Sequence, residues 1–309
     1  MTLPTETLLQ QALDACRPAP GEGEVATYIP ELAKGNPRHL GVALATPDGA
    51  VASAGDGAVP FTLQSVSKVI SLAGALELLG EERVFDAVGM DPTADPFNSI
   101  MRLEMVKPHR PQNPLINAGA LVVLSLLPHR DPEERFAFVR DWARRLSGND
   151  ALDYHEATYL SEKSTSDRNR ALAYFMRSVG TFRGDVENVL DSYFRQCSLR
   201  GTARDMAVMG MTLASGGINP LSGHRVLSER HALMTRALMA TCGLYDGSGE
   251  FAVRVGIPAK SGVGGGILAS VPKKVGLGTF GPALDPKGNS LGGVRLLERL
   301  TQLLDLRIL

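Results

Sequence analysis

Residues Pro60-Phe61-Thr62-Leu63-Gln64-Ser65-Val66-Ser67-Lys68-Val69-Ile70 join a turn-rich segment to a stretch with regularly spaced apolar side chains. Beyond it, apolar side chains recur every three or four residues, which is the period of one buried helix face. This spacing predicts a buried helix that begins at or near Ser65 and ends around Gly80. The residues that carry the period are Val66, Val69, Ile70, Ala73, Leu76 and Leu79.

Ser65 and Lys68 form a Ser-x-x-Lys motif at the start of this helix. A helix start offers unpaired N–H groups and favours negative charge, and residues three apart share one face. A hydroxyl nucleophile, an amine base and N–H donors for an oxyanion are the parts of an acyl-transfer site. A serine N-cap with a solvated lysine is the common alternative. Val69 and Ile70 follow Lys68 directly, however, and favour its burial.

Lys260-Ser261-Gly262 is a second signal, because serine acyltransferases with Ser-x-x-Lys also carry a Lys-Thr-Gly element. The tripeptide alone fits a strand that ends in a turn equally well. Its position far downstream, in a β-like run, adds weight to the catalytic interpretation. Val263-Gly264-Gly265-Gly266 follows, and glycines there let a backbone N–H approach a substrate carbonyl.

Two further motif matches fail in their sequence context. The segment from Gly276 to Gly281 matches Gly-x-Gly-x-x-Gly, but Pro282 and Pro286 follow it instead of a helix, so we reject nucleotide binding. Ser147-Gly148-Asn149 matches Ser-x-Asn, but it stands at the end of a basic helix. We interpret it as a helix C-terminal turn.

Composition excludes several function classes. The 309 residues carry 32 Lys+Arg and 33 Asp+Glu, a net charge of −1, so no field favours nucleic acid or an anionic membrane. Apolar runs such as Leu121 to Leu127 are far shorter than the ~20 residues of a membrane span. We therefore expect neither a nucleic-acid nor a membrane partner.

The cysteines and histidines predict no metal site. Cys16, Cys197 and Cys242 are scattered and odd in number, which fits reduced thiols in a cytoplasmic protein. None of them has metal-ligand spacing to another cysteine or to a histidine. The N-terminal residues, Met1 to Glu6, lack a basic region and a long apolar run, so we expect no secretory signal and a cytoplasmic location.

Strand patterns occur near both ends of the chain, and helical patterns fill the middle. Residues 40–46 and 50–55 flank a Pro-Asp-Gly turn and predict a hairpin. Residues 256–262, 265–271 and 274–280 are further β-like runs separated by glycine and proline. Pairing these strands in one antiparallel sheet, with the middle as a helical lobe, satisfies the layer rules.

The expected architecture is a single domain over residues 1–309 in the α/β (α+β) class. We expect a sheet lobe from roughly 25–65 and 245–309 and a helical lobe from roughly 66–244. Within the helical lobe, one helix is predicted from Leu160 to Val179.

Several polar residues lie in segments that are otherwise apolar or loop-like. Asn117 opens a predicted helix, where an N-cap role and a ligand role both stay open. Glu162 and Asn169 are seven apart, which on one helix places them on one face, although a solvated surface is the default for such a pair. The aromatic residues that fit either a site or ordinary packing are Tyr28, Tyr193 and Tyr245.

Taken together, several motifs resemble those of the serine-dependent glutaminases. The likeness runs from about Tyr28 to the C-terminus, and the combination is specific although each motif alone is weak. The segments are Phe61 to Lys68, Asp95-Pro96-Phe97-Asn98-Ser99, Asn113 to Ala120, Ser161 to Asn169, Thr241 to Asp246 and Lys260 to Gly266.

The resemblance implies a β-lactamase-like fold and hydrolysis of L-glutamine to L-glutamate and ammonia without a cofactor. It implies Ser65 as nucleophile, Lys68 as its partner amine, with Tyr245 as an alternative base or relay, and the Val263 N–H beside that of Ser65 in an oxyanion hole. Lys260, Ser261 and Gly262 are expected to support the site. The substrate-site positions it implies are Tyr28, Ser65, Asn117, Glu162, Asn169, Tyr193, Tyr245 and Val263.

Two rival functions share the same motifs. A penicillin-interacting carboxypeptidase or β-lactamase would use the same nucleophile, and a non-catalytic amino-acid sensor would keep only the binding residues. The family resemblance also implies a homodimer or homotetramer.

Overall fold

A computed structural model describes residues 6–96, 98–105 and 107–309. Phe97, which belongs to one of the motifs above, lies outside the described residues. The helices are α1 Glu6–Asp14, α2 Ser67–Leu79, α3 Glu81–Ala87, α4 Met101–Met105, α5 Asn117–Leu126, α6 Pro132–Ser147, α7 Glu156–Thr165, α8 Asp167–Ser178, α9 Val186–Cys197, α10 Ala203–Ala214, α11 Glu229–Cys242, α12 Ser248–Arg254 and α13 Leu291–Leu303.

The strands form two separate antiparallel sheets. They are β1 Gly41–Ala45, β2 Val51–Gly55, β3 Phe61–Thr62, β4 Asp153–Tyr154, β5 Leu199–Gly201, β6 Ala259–Ser261, β7 Gly266–Val271 and β8 Val275–Phe280. The larger sheet has the order β2-β1-β8-β7-β6. The N-terminal hairpin therefore pairs with the C-terminal strands, with Gly41 opposite Phe280. This confirms the predicted hairpin and the single sheet built from both ends of the chain.

The larger sheet has helices on both faces. On one face, Leu44, Ile267 and Leu277 pack with residues of α1 and α13 in one apolar cluster. On the other face, α10 lies against β1, β7 and β8. Glycines permit this close approach, because a Cβ at Gly276 would stand 2.1 Å from Ala207 O. The Gly-x-Gly-x-x-Gly match is thus a strand that accommodates a helix, as its sequence context suggested.

Helix α2 lies at the centre of the helical region. It packs against α5, α6 and α11, so every residue from Ser67 to Leu76 is buried. A 3₁₀ turn at Gln64–Val66 precedes it, and its C-cap is Gly80. The predicted helix from about Ser65 to about Gly80 is confirmed.

Two sequence expectations differ from the structure. The single helix predicted from Leu160 to Val179 is wrong, because the chain leaves helical geometry at Ser166 (ψ 40°) and forms α7 and α8 instead. The small sheet β3-β5-β4 was not expected, since two of its strands have only two residues and carry no periodic signal. It ties the segment before Ser65 to the strand that follows α9.

Within the described residues, no helix is both long enough and apolar enough to cross a membrane.

Candidate active site

Ser65 lies on the turn between β3 and α2. The preceding strand pairs with β5, and Leu63 N donates to Leu199 O at 2.7 Å, which fixes the entry to the turn. Gln64 has a positive φ of 48°, a rare backbone conformation for a side chain of its size. Ser65 sits in the first turn, where backbone N–H groups have no intrahelical acceptor. The serine itself is buried.

The Lys68 amine contacts the Ser65 hydroxyl directly. Its side chain is 1% exposed, and Nζ donates a hydrogen bond to Ser65 Oγ. The Tyr193 ring lies beside it, with 5.6 Å between Nζ and the ring centroid. Burial lowers the pKa of Lys68, although the charges of Cys197 and Glu162 oppose the shift. The lysine is therefore pushed toward the neutral form that a base needs.

Tyr245 approaches Ser65 from the other side. It lies in a 3₁₀ turn at Tyr245–Gly247 with a positive φ of 58°. Its hydroxyl donates to Ser261 O at 3.4 Å and is hydrogen-bonded to Ser65. Burial raises the pKa of Tyr245 to about 12. At neutral pH it is a phenol, suited to relay a proton more than to remove one unaided.

Lys260 supports Tyr245. It is fully buried on β6, and Nζ stands 4.1 Å from the centroid of the Tyr245 ring. It donates to Gly243 O at 2.9 Å and to Ser261 O at 2.6 Å. Burial and the charge of Lys68 lower the pKa of Lys260 well below its usual value. The amine links the turn of Tyr245 to the strand that carries Ser261.

The segment after β6 packs closely against the turn that carries Ser65. A Cβ at Gly262 would stand 2.6 Å from Leu63 O and 3.2 Å from Ser65 N, so only glycine fits without displacement. Gly262 N donates to Gly266 O and Gly265 N donates to Gly262 O, which closes a tight turn around Val263. Among the described residues, no acceptor pairs with the Val263 N–H. The turn thus presents an unpaired donor next to the Ser65 turn.

Glu162 is a buried carboxyl group on α7. The side chain is 4% exposed, and Oε2 has no hydrogen-bond partner among the described residues. Burial raises the pKa of Glu162 to about 8, against the opposing charge of Lys68 and hydrogen bonds from Cys197 and Gln64. Within the described residues, the carboxyl group thus has one oxygen without a partner.

Asn117 and Asn169 form a pair at the start of α5 and on α8. Asn117 Nδ2 donates to Asn169 Oδ1 at 2.9 Å. Asn117 Oδ1 is buried and, in the described part of the chain, unpaired. Asn117 makes no side-chain cap of its helix, so its N-cap interpretation is wrong. Although α7 and α8 are separate helices, Glu162 and Asn169 are both buried, so the surface interpretation of that pair is also wrong.

Tyr28 stands at the mouth of the site. The residue is 55% exposed, yet burial of the hydroxyl and the charges of Glu162 and Tyr245 raise its pKa, so the hydroxyl end points inward. Tyr28, Val263 and Asp246 line one cleft of about 740 Å³. The cleft thus borders Val263, the residue whose N–H lies next to the Ser65 turn.

The Ser-x-Asn match lies outside this group of residues, and the sequence predicts no metal site. Gly148 caps α6 with a φ of 68°, and its N–H donates to Arg144 O, so Ser147-Gly148-Asn149 is a helix C-terminal turn as expected. Within the described residues, no group of three or more His, Cys, Asp or Glu side chains has the arrangement to hold a metal ion.

Comparisons with known proteins agree along nearly the whole chain. A family model described as Glutaminase matches residues 23–309. A curated glutaminase from Alkaliphilus oremlandii (strain OhILAs) is 50% identical over 300 residues, covering 97% of this chain and 98% of the relative. The chain belongs to the glutaminase family.

Solved glutaminases share its fold. The Bacillus subtilis glutaminase YbgJ, in covalent complex with 5-oxo-L-norleucine, matches with a TM-score of 0.90 and 38% identity, covering 98% of this chain and 99% of that one. Mglu in its glutamate form matches with a TM-score of 0.92 and 40% identity, covering 99% of this chain and 70% of that one. The chain is therefore an enzyme of the glutaminase class with a β-lactamase-like fold.

Two residues of this glutaminase site were not singled out from the sequence. Gln64 contacts Glu162, and Cys197 contacts both Glu162 and Tyr193. Gln64 directly precedes the nucleophile, but a glutamine there carries no distinctive pattern. Cys197 lies four residues after Tyr193 on α9, and the (i, i+4) spacing on a helix was the available signal.

Proposed function

We propose that this glutaminase hydrolyses L-glutamine to L-glutamate and ammonia through an acyl-enzyme on Ser65. The observation that carries the proposal is the contact between a fully buried amine, Lys68 Nζ, and Ser65 Oγ. A free lysine has a pKa of about 10.4 and is a poor base at neutral pH. Burial of Lys68 supplies the shift that general-base catalysis requires.

The acylation half-reaction follows from this arrangement. Neutral Lys68 takes the proton from Ser65 Oγ, and the oxygen attacks the side-chain amide carbon of glutamine. The negative charge on the former carbonyl oxygen rests on the N–H groups of Ser65 and Val263. The amide C–N bond then breaks, and the leaving nitrogen receives a proton from Lys68, directly or through Tyr245, and departs as ammonia.

Deacylation uses the same groups in reverse order. Water attacks the γ-glutamyl ester while Lys68, directly or through Tyr245, takes a proton from it. The oxyanion again rests on the two N–H groups. The ester bond breaks, Ser65 Oγ regains its proton, and glutamate leaves through the cleft beside Tyr28.

Recognition of the amino-acid end uses the buried polar groups. The α-ammonium of glutamine needs acceptors when water is excluded, and Glu162 Oε2 and Asn117 Oδ1 are buried acceptors without partners in the described chain. The α-carboxylate needs donors, which Asn169 and the hydroxyl of Tyr193 or Tyr28 supply. A ligand with both charges would pair with the buried acceptors that have no partner among the described residues.

A relative supports covalent chemistry with a glutamine-shaped electrophile. The Bacillus subtilis glutaminase YbgJ reacted with 6-diazo-5-oxo-L-norleucine to give a covalent complex with 5-oxo-L-norleucine. Such capture needs a nucleophile at the site. By similarity, we assign that role to Ser65 in this chain.

Rapid-quench mass spectrometry with L-glutamine tests the assignment. We expect a γ-glutamyl adduct on the peptide that contains Ser65 and none in Ser65→Ala, which should lose turnover by at least about 10³-fold. Ser71→Ala is a matched control, because Ser71 is a buried serine one turn along α2 whose Oγ donates to Lys68 O. An adduct on another side chain, or near-normal ammonia release from Ser65→Ala, would refute the mechanism. Parallel assays with asparagine and a fluorescent penicillin separate this function from the rival hydrolases.

We also propose the lobe division given above, a homodimeric or homotetrameric state and a cytoplasmic location. The motif resemblance motivates the oligomer, and the reduced cysteines motivate the location. Within the described chain the three cysteines are free and buried. Light scattering coupled to size-exclusion chromatography tests the oligomer, since a monomeric mass at working concentration would contradict it.

A further inference from the structure

Asp191 is a buried carboxylate that takes no part in the mechanism above. It lies on α9, two residues before Tyr193. Tyr159 Oη donates to its Oδ1 at 2.5 Å, Lys163 Nζ donates to the same oxygen, and Arg195 Nε donates to its Oδ2 at 2.9 Å. Burial by itself would raise the pKa of Asp191, but the three donors lower it below its usual value. Both carboxylate oxygens therefore have charged or polar partners within the chain.

Two of the three donors lie on α7, the helix that carries Glu162. Lys163 directly follows Glu162, and Tyr159 precedes it by three residues. Lys163 Nζ also donates to Tyr159 Oη at 3.0 Å, so the two donors and the carboxylate form a closed triangle. These contacts join α7 to α9 beside a proposed recognition residue on each helix, Glu162 and Tyr193.

Arg195 extends this network to two further elements. Its Nη1 donates to Tyr154 Oη on β4 at 3.2 Å and lies 2.7 Å from Glu133 Oε1 on α6. Its guanidinium carbon stands 4.8 Å from the centroid of the Tyr159 ring. The rings of Tyr154 and Tyr159 meet edge to face, with 5.6 Å between their centroids. Asp191 is thus part of a network that joins α6, β4, α7 and α9.

Apart from this network, α7 buries few side chains. Three of its ten residues are buried, namely Thr158, Tyr159 and Glu162. Of these, Glu162 opposes burial, because its Oε2 has no partner in the described chain and an unpaired polar oxygen costs free energy away from water. The contacts of Asp191 therefore act against a tendency of α7 to expose Glu162.

Two other hydrogen bonds reach α7 from neighbouring segments. Glu31 N donates to Ser161 Oγ at 3.1 Å, and Arg170 Nη2 donates to Lys163 O at 2.8 Å. The acceptors in these bonds are a hydroxyl and a backbone carbonyl. Asp191, in contrast, receives two side-chain donors of α7 at one buried charged group, and such charge-assisted bonds are the stronger kind.

We propose that Asp191 is a positioning residue for substrate recognition: it holds α7 against α9 and so keeps Glu162 at the buried site. The inference rests on the proposed role of Glu162 as partner of the substrate ammonium. Ser65 and Lys68 lie on the turn before α2 and on α2 itself, outside this network. Loss of Asp191 should therefore weaken substrate binding more than it slows the chemical step.

Steady-state kinetics of two variants test the proposal. Asp191→Asn keeps the shape of the side chain but removes its charge, so we expect the KM for L-glutamine to rise about tenfold while kcat stays within about threefold. Tyr159→Phe removes one donor and leaves both ion pairs of Asp191 in place, so KM should rise by only about threefold. An unchanged KM in Asp191→Asn overturns the positioning role.

Asp205→Asn is the matched control, because Asp205 is also a buried helical carboxylate with three donors. It accepts from Thr202 N at 2.8 Å, from Thr202 Oγ1 at 2.7 Å and from Asn149 Nδ2 at 2.9 Å. This variant should also melt at a lower temperature than the wild type, but its KM should not change. A rise in KM as large as that of Asp191→Asn would mean that lost stability explains the effect. If Asp191→Asn is unfolded in a thermal melt, an unchanged KM in Tyr159→Phe overturns the proposal instead.

Hydrogen–deuterium exchange reports how firmly α7 is held, and it does so independently of the role of Glu162. The amides of residues 156–165 should exchange about tenfold faster in Asp191→Asn than in the wild type, because opening of α7 becomes easier. The amides of α2 should exchange at the wild-type rate. Equal exchange of α7 in the two proteins would contradict the proposed function of Asp191 as an anchor.

Calorimetric titration with L-glutamate in a double-mutant cycle separates this inference from the proposed function. If Asp191 acts through Glu162, Asp191→Asn should weaken binding in the wild type and add little in Glu162→Gln. Full additivity of the two substitutions would refute the link between these residues. Normal glutamate binding by Glu162→Gln would instead refute the ammonium assignment, whatever the exchange of α7 shows.

Discussion

The two ends of the site differ in how completely their polar side chains are paired. At the reacting end, Lys68 donates to Ser65, and Lys260 and Tyr245 share Ser261 O as an acceptor. At the recognition end, Glu162 Oε2 and Asn117 Oδ1 have no partners in the described chain although both residues are buried. Under the proposed mechanism, contacts within the described chain assemble the reacting end, whereas the recognition end depends on the substrate for partners.

This difference has a physical reason. Catalysis benefits from groups that need no reorganisation when charge develops, which is what we expect of the proposed nucleophile, base and N–H donors if the chain holds them in place. Recognition benefits from groups whose missing partners the substrate supplies. Each unsatisfied buried group costs about 1–3 kcal/mol, a penalty that a bound α-ammonium relieves. A ligand without that ammonium leaves the penalty in place.

Gly262→Ala is the sharpest test of the assembled end. The new Cβ would lie 2.6 Å from Leu63 O and 3.2 Å from Ser65 N, so the Ser65 and Val263 turns must separate. We expect kcat to fall by about 10²–10³, the effect of losing one oxyanion donor, with a smaller change in KM. Steady-state kinetics measure both constants, and circular dichroism verifies the fold.

Gly249→Ala is the control for that substitution. Gly249 lies in α12, and a Cβ there would meet no atom within 4 Å. This variant should keep wild-type kinetics. A Gly262→Ala enzyme that also kept them would show that the close approach of the two turns is dispensable.

Local sequence patterns account for more of the proposed reacting end than of the proposed recognition end. Ser65, Lys68 and the Lys260-Ser261-Gly262 element sit in local patterns, a helix start and a strand end, that determine their surroundings. The sheet was predictable for the same reason, because its strands alternate with clear turn residues. Glu162 and Cys197 meet only through the packing of α7 against α9, and no period in the sequence reports that contact.

Short elements were beyond the reach of periodicity for a different reason. The strands β3 and β4 have two residues each, and they exist because β5 lies between them. The break at Ser166 interrupts a segment whose composition suits one continuous helix. In both cases the backbone conformation is determined by tertiary contacts more than by the local preference of the residues for helix or strand.

Glu162→Gln tests the incomplete end and has two expected effects. The amide keeps the shape but lacks the charge, so the KM for L-glutamine should rise by about 10²-fold or more. The free energy of unfolding, in contrast, should be higher in Glu162→Gln than in the wild type. Burial raises the pKa of Glu162 from 4.5 to about 8, so between these values the folded state holds a proton that the unfolded state has lost. Wild-type stability therefore falls as pH rises through this window.

Thermal melts across that window measure the stability effect. The melting temperature of Glu162→Gln should exceed that of the wild type by a margin that grows with pH and reaches about 3 °C or more near pH 8. The comparison at pH values below 4.5 is the internal control. There the Glu162 carboxyl group of the wild type is protonated in both the folded and the unfolded state, so the margin should vanish. A margin that is constant with pH would mean that the Glu162 carboxyl group does not titrate in this range.

Asn149→Ala has the smallest expected effect and marks the boundary of the site. Asn149 belongs to the discarded Ser-x-Asn match, and its Nδ2 donates to Asp205 Oδ1 at 2.9 Å beyond the C-terminal end of α6. Its loss removes this partly buried hydrogen bond and an exposed one that Asn149 Oδ1 accepts from Ala151 N, so we expect about 1–2 kcal/mol of stability to be lost and kcat/KM to stay within about twofold. Asn169→Ala is the matched comparison, because it deletes the same side chain from the partner of Asn117. If Asn149→Ala impaired glutamine turnover as strongly as Asn169→Ala, the Ser-x-Asn segment would have to be placed in the site, and the rival penicillin-type geometry would regain support.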